Sequence, residues 1–134
     1  MTDLVFFYGT LMSGFKRPGR SRLDLALEPV GHGAIRAVLF DLGIYPAATP
    51  APDSQVRGEV HRMLEPEKVL HALDEIEGFR PDEPDASLYL RLEAPVSLDD
   101  GRLEIAWVYF YNAPLGRAPR IESGDYLEYL NVKR

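Results

Sequence analysis

The chain contains no cysteine, which excludes disulfides, thiolate catalysis and any zinc or iron–sulfur site built on cysteine. It has no run approaching the roughly 18 apolar residues that span a bilayer. Its first residues, MTDLVFFYGTL, lack the basic region and long apolar stretch of a secretory signal. Basic residues are in the minority, 15 against 21 acidic ones, for a net charge of -6. That balance argues against a surface built for nucleic acid or anionic lipid. A soluble cytoplasmic protein is the expectation. Nucleophile motifs are missing too: there is no G-x-S-x-G elbow and no P-loop, and Ser13, Ser87, Ser97 and Ser123 stand beside no evident base. His32, His61 and His71 have no metal-ligand spacing. Gly31-His32-Gly33 starts like a dinucleotide fingerprint, but Arg36 takes the third glycine position and no βαβ unit follows.

What is present is an ordinary globular composition, 46% hydrophobic and 27% charged over 134 residues. That length suits one domain, which would bury roughly two-thirds of its unfolded surface. Residues 4–8 are an apolar, aromatic run that stops at Gly9 and reads as a buried first strand. Residues 13–22 form a Gly/Pro/Ser-rich loop carrying Lys16, Arg17, Arg20 and Arg22. Residues 23–27 fit either one helical turn or a short strand. Residues 30–42 read as a strand with a bulge or bend at Gly31 and Gly33. Three prolines mark 43–54 as an irregular loop within one domain. Residues 56–63 alternate like a strand with one polar face.

Glu65-Pro66 then opens a helix with Val69, Leu70, Leu73 and Ile76 on one face, and Gly78 is placed to end it. After a proline-rich loop at 80–86 come two strands, 87–96 and 103–112. The first would turn Leu88, Leu90, Leu92, Ala94 and Val96 to one face, the second Leu103, Ile105, Trp107, Tyr109 and Tyr111. Asp100-Gly101 between them suggests a type I′ turn. The tail IESGDYLEYL is suited to packing an aromatic edge on the sheet. This order predicts an α+β fold with a small, mainly antiparallel, curved sheet.

Two segments could carry chemistry. At Tyr8-Gly9-Thr10-Leu11-Met12, a sharp turn after the strand can aim backbone N–H groups into a cavity and hold an anion or oxyanion; taken by itself the segment reads first as a tight turn that needs Gly9 for its backbone angles. At the helix end, Asp74, Glu75 and Glu77 crowd the negative pole of the helix dipole, which should raise the proton affinity of at least one and suit it to general-base work. The alternative is a solvated acidic helix end. Tyr89, Tyr109 and Tyr111 fit a pocket wall or cross-strand packing. Arg91 fits an ion pair with Glu93 or a ligand contact.

Taken together, FFYGTLM, LFDLGIYPAA, VRGEVHRM, LDEIEGF, SLYLR, AWVYFYN and SGDY resemble, in order and over nearly the whole chain, the γ-glutamylcyclotransferase-like family, with Thr10-Leu11 similar to its AIG2-like branch. The resemblance implies a curved, partly closed barrel with a cavity at one side. It also implies cyclisation of a small γ-glutamyl amide or amine to 5-oxoproline with release of the amine, without a cofactor. Glu77 would be the catalytic acid/base. Tyr8, Gly9, Thr10 and Leu11 would hold the γ-glutamyl group, Tyr89 would line the pocket, and Tyr109 or Tyr111 would close it. The alternative is a non-catalytic domain that binds a small metabolite in the same cavity. Neither reading involves nucleic acid or a membrane, and both leave the oligomeric state open.

Overall fold

The computed structural model describes residues 2–12 and 21–133, apart from the side chains of residues 21, 22, 132 and 133. Five strands, β1 (Leu4–Phe7), β2 (Leu27–Asp41), β3 (Pro46–Met63), β4 (Tyr89–Leu98) and β5 (Leu103–Tyr111), close into a barrel in the order β1-β3-β2-β4-β5. The first strand, β1 (Leu4–Phe7), is buried throughout. It runs antiparallel to β3 (Pro46–Met63) on one side and parallel to β5 (Leu103–Tyr111) on the other. A strand flanked on both sides and covered on both faces reads as an unbroken apolar run, as LVFF does.

The strand β2 (Leu27–Asp41) and β3 form one long antiparallel hairpin. Of residues 23–27, undecided between helix and strand in the sequence, all but the last fall in a short 3-10 helix (Ser21–Ala26), and Leu27 opens β2. The expected bulge near Gly31 is present as a register shift between Pro29 and Gly31. The segment 43–54 is not the irregular loop its prolines suggested. Only the turn at 42–45 is loop, closed by Leu42 N–H to the Tyr45 carbonyl and by Gly43 N–H to Asp41 Oδ1. Pro46 is the first residue of β3, where no ladder donor precedes it. Pro50 borders and Pro52 lies within a second register shift, where Ala37 pairs with Pro50 and Arg36 with Gln55. Strands accept proline at their first residue and where a bulge suspends the ladder. The expected polar face at 56–63 is also corrected: Glu59, His61 and Met63 are buried like Val56 and Val60.

The helix α1 (Pro66–Glu77) begins and ends where its sequence signals stand. Gly78 takes the left-handed conformation (φ 71°), so that the Asp74 carbonyl accepts N–H groups from Gly78 and Phe79. Val69, Leu70 and Leu73 are buried under it.

The strand β4 (Tyr89–Leu98) pairs with β5 along its whole length. Their turn is not type I′: every positive φ among the described residues belongs to a glycine, so Asp100 does not adopt one. Gly101 N–H bonds the Leu98 carbonyl and Leu98 N–H bonds the Arg102 carbonyl, a type I turn finished by a left-handed glycine. The leucine face is corrected as well, because the buried face of β4 changes along the strand. Leu88 and Leu92 are exposed, whereas Tyr89 is buried at one end and Val96 and Leu98 at the other. On β5, Leu103 and Ile105 are likewise exposed.

The tail does pack back on the sheet. Ile121 N–H bonds the Leu39 carbonyl, and a side chain at Gly124 would run into the Gln55 carbonyl. In the closing helix α2 (Tyr126–Lys133), Tyr126 is buried and the Tyr129 hydroxyl donates to Asp41. No helix among the described residues is long and apolar enough to cross a membrane.

Candidate active site

Three segments of the chain meet at one side of the barrel. The end of β1 supplies Phe6, Phe7, Tyr8 and the turn Gly9, Thr10 and Leu11. The β2–β3 turn supplies Tyr45 and Pro46, and the last turn of α1 supplies Ile76 and Glu77. Leu88, Tyr89 and Tyr109 complete a small open cleft. The wall is largely apolar and aromatic, and Glu77 is the one carboxylate among the described lining residues.

Gly9 does not have the positive φ that the tight-turn reading required. Its reason is space: a Cβ there would lie 2.8 Å from Pro46 Cγ. The strand end can therefore press against the first residue of β3, and the turn is closed by Met12 N–H to the Gly9 carbonyl.

The tyrosines are fixed by their own hydroxyls. Tyr8 donates to the Tyr109 carbonyl at 2.6 Å and accepts from Ala48 N–H. Tyr89 donates to the Pro46 carbonyl at 3.0 Å. Tyr109 donates to Asp74 Oδ1 at 2.7 Å. With their protons committed to the protein, these residues serve as walls before they serve as donors. Burial pushes the Tyr8 phenol well above its usual range, and the nearby Tyr89 and Glu77 add to this, against a lowering contribution from Ala48 N–H. Burial likewise raises Tyr109, reinforced by its bond to Asp74 and opposed by Arg91. Both phenols are neutral at physiological pH. Of the two candidates for closing the pocket, Tyr109 lines it; Tyr111 stands outside, edge-on against Tyr89 with ring centroids 5.2 Å apart.

The three acidic residues at the helix end have different surroundings. Glu77 reaches the cleft, and Glu75 is exposed beside His71 at 3.2 Å. Asp74 points into the protein, where Arg91 holds it through two hydrogen bonds of 2.8 and 3.2 Å. Arg91 thus pairs with Asp74 and not with Glu93. Its guanidinium lies over Trp107, 4.5 Å from the ring centroid, and 5.4 Å from that of Phe79. Sequence reading missed this pairing. The available signal was Asp74 lying four residues after Leu70, on the stripe that must be buried and where a carboxylate needs a partner.

Elsewhere, His61 is buried against Glu59 at 3.1 Å and His32 is exposed. No group of three or more metal-ligating side chains occurs among the described residues. Ser13, Lys16, Arg17, Arg20 and the Arg22 side chain lie outside the described residues.

Comparison with known proteins gives a consistent result. The family model described as "Gamma-glutamyl cyclotransferase, AIG2-like" matches residues 5–128. The chain is 38% identical over 128 residues to the "Putative gamma-glutamylcyclotransferase MJ1514" of Methanocaldococcus jannaschii, covering 95% of this chain and 98% of that one. Among solved structures it is similar to YkqA from Bacillus subtilis (TM-score 0.74, 26% identity), covering 99% of this chain but only 42% of that longer one. An AIG2-like protein from Mus musculus shares the fold (TM-score 0.67, 23% identity, 90% and 86% of the two chains).

Proposed function

The chain belongs to the γ-glutamyl cyclotransferase, AIG2-like family, and from that premise we propose that it cyclises a γ-glutamyl amide to 5-oxoproline and releases the amine, with Glu77 as general acid/base. The observation that carries the reading is one cleft in which Glu77 meets the strand-end turn of Tyr8, Gly9, Thr10 and Leu11.

A γ-glutamyl amide brings its own nucleophile. The α-amino nitrogen sits within five-membered-ring distance of the γ-carbonyl, so the reaction starts with its entropic cost largely met. Glu77 takes a proton from the α-ammonium, and the freed nitrogen attacks the γ-carbon. The new N–C bond closes the ring as a tetrahedral oxyanion. As the oxyanion collapses, the original C–N bond breaks, Glu77 returns its proton to the departing nitrogen, and the ring nitrogen gives up its second proton, which leaves with the released amine as its ammonium form. One carboxylate serves both transfers, and the protein contributes no covalent intermediate.

The remaining lining residues have supporting roles in this reading. The turn Gly9–Leu11 holds the γ-glutamyl group at the rim through its backbone, and Tyr8, Tyr89 and Tyr109 shape the wall. Neutral phenols suit that role, since a phenolate beside Glu77 would repel the oxyanion.

The test is incubation of the purified protein with γ-glutamyl amino acids and γ-glutamyl amines. The expected result is equimolar 5-oxoproline and free amine. A folded protein that these ligands stabilise against heat without any release would instead be a binding domain.

A further inference from the structure

A carboxylate on the buried stripe of a helix is costly unless donors surround it. Asp74 is only 7% exposed and has three side-chain hydrogen bonds, from Arg91 Nε (2.8 Å), Arg91 Nη2 (3.2 Å) and the Tyr109 hydroxyl (2.7 Å). Its backbone is occupied as well, since its carbonyl accepts the N–H groups that cap the helix. One residue therefore ties the last turn of α1 to β4, to β5 and to its own C-cap. Glu77 lies three residues further along that same turn. Neither Asp74 nor Arg91 lines the cleft, so the chemistry does not consume them; Tyr109 does both jobs, holding Asp74 and forming wall.

We propose that Asp74 and Arg91 are positioning residues: with Tyr109 they clamp the last turn of α1 to the β4–β5 hairpin and so set where the Glu77 carboxylate stands in the cleft. The inference rests on Glu77 as the acid/base. It has an electrostatic corollary, because the two charges oppose each other. Removing either one leaves the other uncompensated within a turn of Glu77. The remaining titratable groups facing the cleft are Tyr8 from the end of β1, Tyr45 from the β2–β3 turn, Tyr89 from β4 and Tyr109 from β5, with the exposed His71–Glu75 pair on the helix itself.

The experiment compares Asp74→Asn, Arg91→Met and the double variant, with Arg57→Met at the exposed ion pair to Asp99 as control. Two readouts are taken: the pH profile of 5-oxoproline release, and the titration of the Glu77 carboxyl carbon by NMR, assigned with Glu77→Gln. Each single variant is expected to lose roughly 10- to 100-fold in kcat, with KM changed less than about threefold. Asp74→Asn leaves the Arg91 cation and moves the acid limb and the carboxyl titration to lower pH. Arg91→Met leaves the Asp74 anion and moves both to higher pH. The double variant returns both near the parental position without restoring kcat, and Arg57→Met changes neither.

Shifts in the same direction, or a folded variant with parental kcat and titration, would overturn the proposal. If Arg91→Met does not fold, the Asp74→Asn and double variants decide. If the parent releases no 5-oxoproline, the proposed function falls, and the NMR titration alone still decides whether Asp74 and Arg91 govern Glu77.

Discussion

Arg91–Asp74 and Arg57–Asp99 are the same chemical pair in two settings. Both are forked contacts, and the second is the shorter, at 2.9 and 2.8 Å against 2.8 and 3.2 Å. Yet the Arg57 and Asp99 side chains are 40% and 53% exposed, while those of Arg91 and Asp74 are 16% and 10% exposed. Surroundings decide what such a pair does. Water and salt compete for the exposed pair at every moment. The buried pair sits between two aromatic rings and a tyrosine hydroxyl, so losing one member leaves a charge with nowhere to go. Hydrogen-bond length alone would rank them in the wrong order.

The largest effect that could break this contrast is on stability. Arg91→Met should cost roughly 3–5 kcal/mol in denaturant unfolding, the usual range for orphaning a buried charge, whereas Arg57→Met should leave the midpoint almost unmoved. Equal losses would mean that burial does not separate the pairs. Next, Leu73→Ala tests the packing beneath the same turn; its fully buried side chain predicts a loss of about 2–5 kcal/mol. Tyr109→Phe keeps the ring and removes the hydroxyl bond to Asp74, for about 1.5–3 kcal/mol.

Alkali sharpens the picture further. Tyr8 and Tyr109 titrate above their ordinary value of 10.0 in the folded chain, so above that pH the unfolded chain releases protons that the folded chain retains. Their stabilising contribution is complete below about pH 10 and is lost progressively as pH rises beyond it. Urea midpoints across that range should fall less steeply in Tyr109→Phe. The smallest effect belongs to the exposed pair. Arg57 holds the Asp99 carboxyl below its usual range, chiefly through their hydrogen bond, so its contribution is present above pH 3.8 and lost as pH falls through the lowered value. Arg57→Met should slightly flatten acid unfolding, and added salt should erase the difference.

How much of this could be read from the chain differs element by element. Helix α1 was legible to its ends, because Pro66 and Gly78 act locally. The β4–β5 hairpin was legible in extent but not in its faces. A strand pattern assumes one buried side, whereas this hairpin meets α1 on one face at Arg91 and Tyr109 and enters the core on the other at Val96 and Val108. The first half of β3 was hidden because its prolines are tolerated only through a bulge that depends on the pairing with β2. At the site, Glu77 and the Tyr8–Leu11 turn were suggested by motif. What required three dimensions was the choice between Tyr109 and Tyr111, and the partnership of Asp74 with a residue 17 positions away. The space that makes Gly9 necessary likewise appears only once Pro46 is in place.

The central claim is that one carboxylate at the end of α1 moves the protons of a ring closure. Its most direct test is 5-oxoproline release by the parent and by Glu77→Gln on the same γ-glutamyl substrate, with melting temperatures measured alongside. The expected result is an unchanged melting temperature and a loss of turnover of about 10²–10⁴-fold, the usual worth of a general acid/base. Turnover in the variant equal to that of the parent would contradict it.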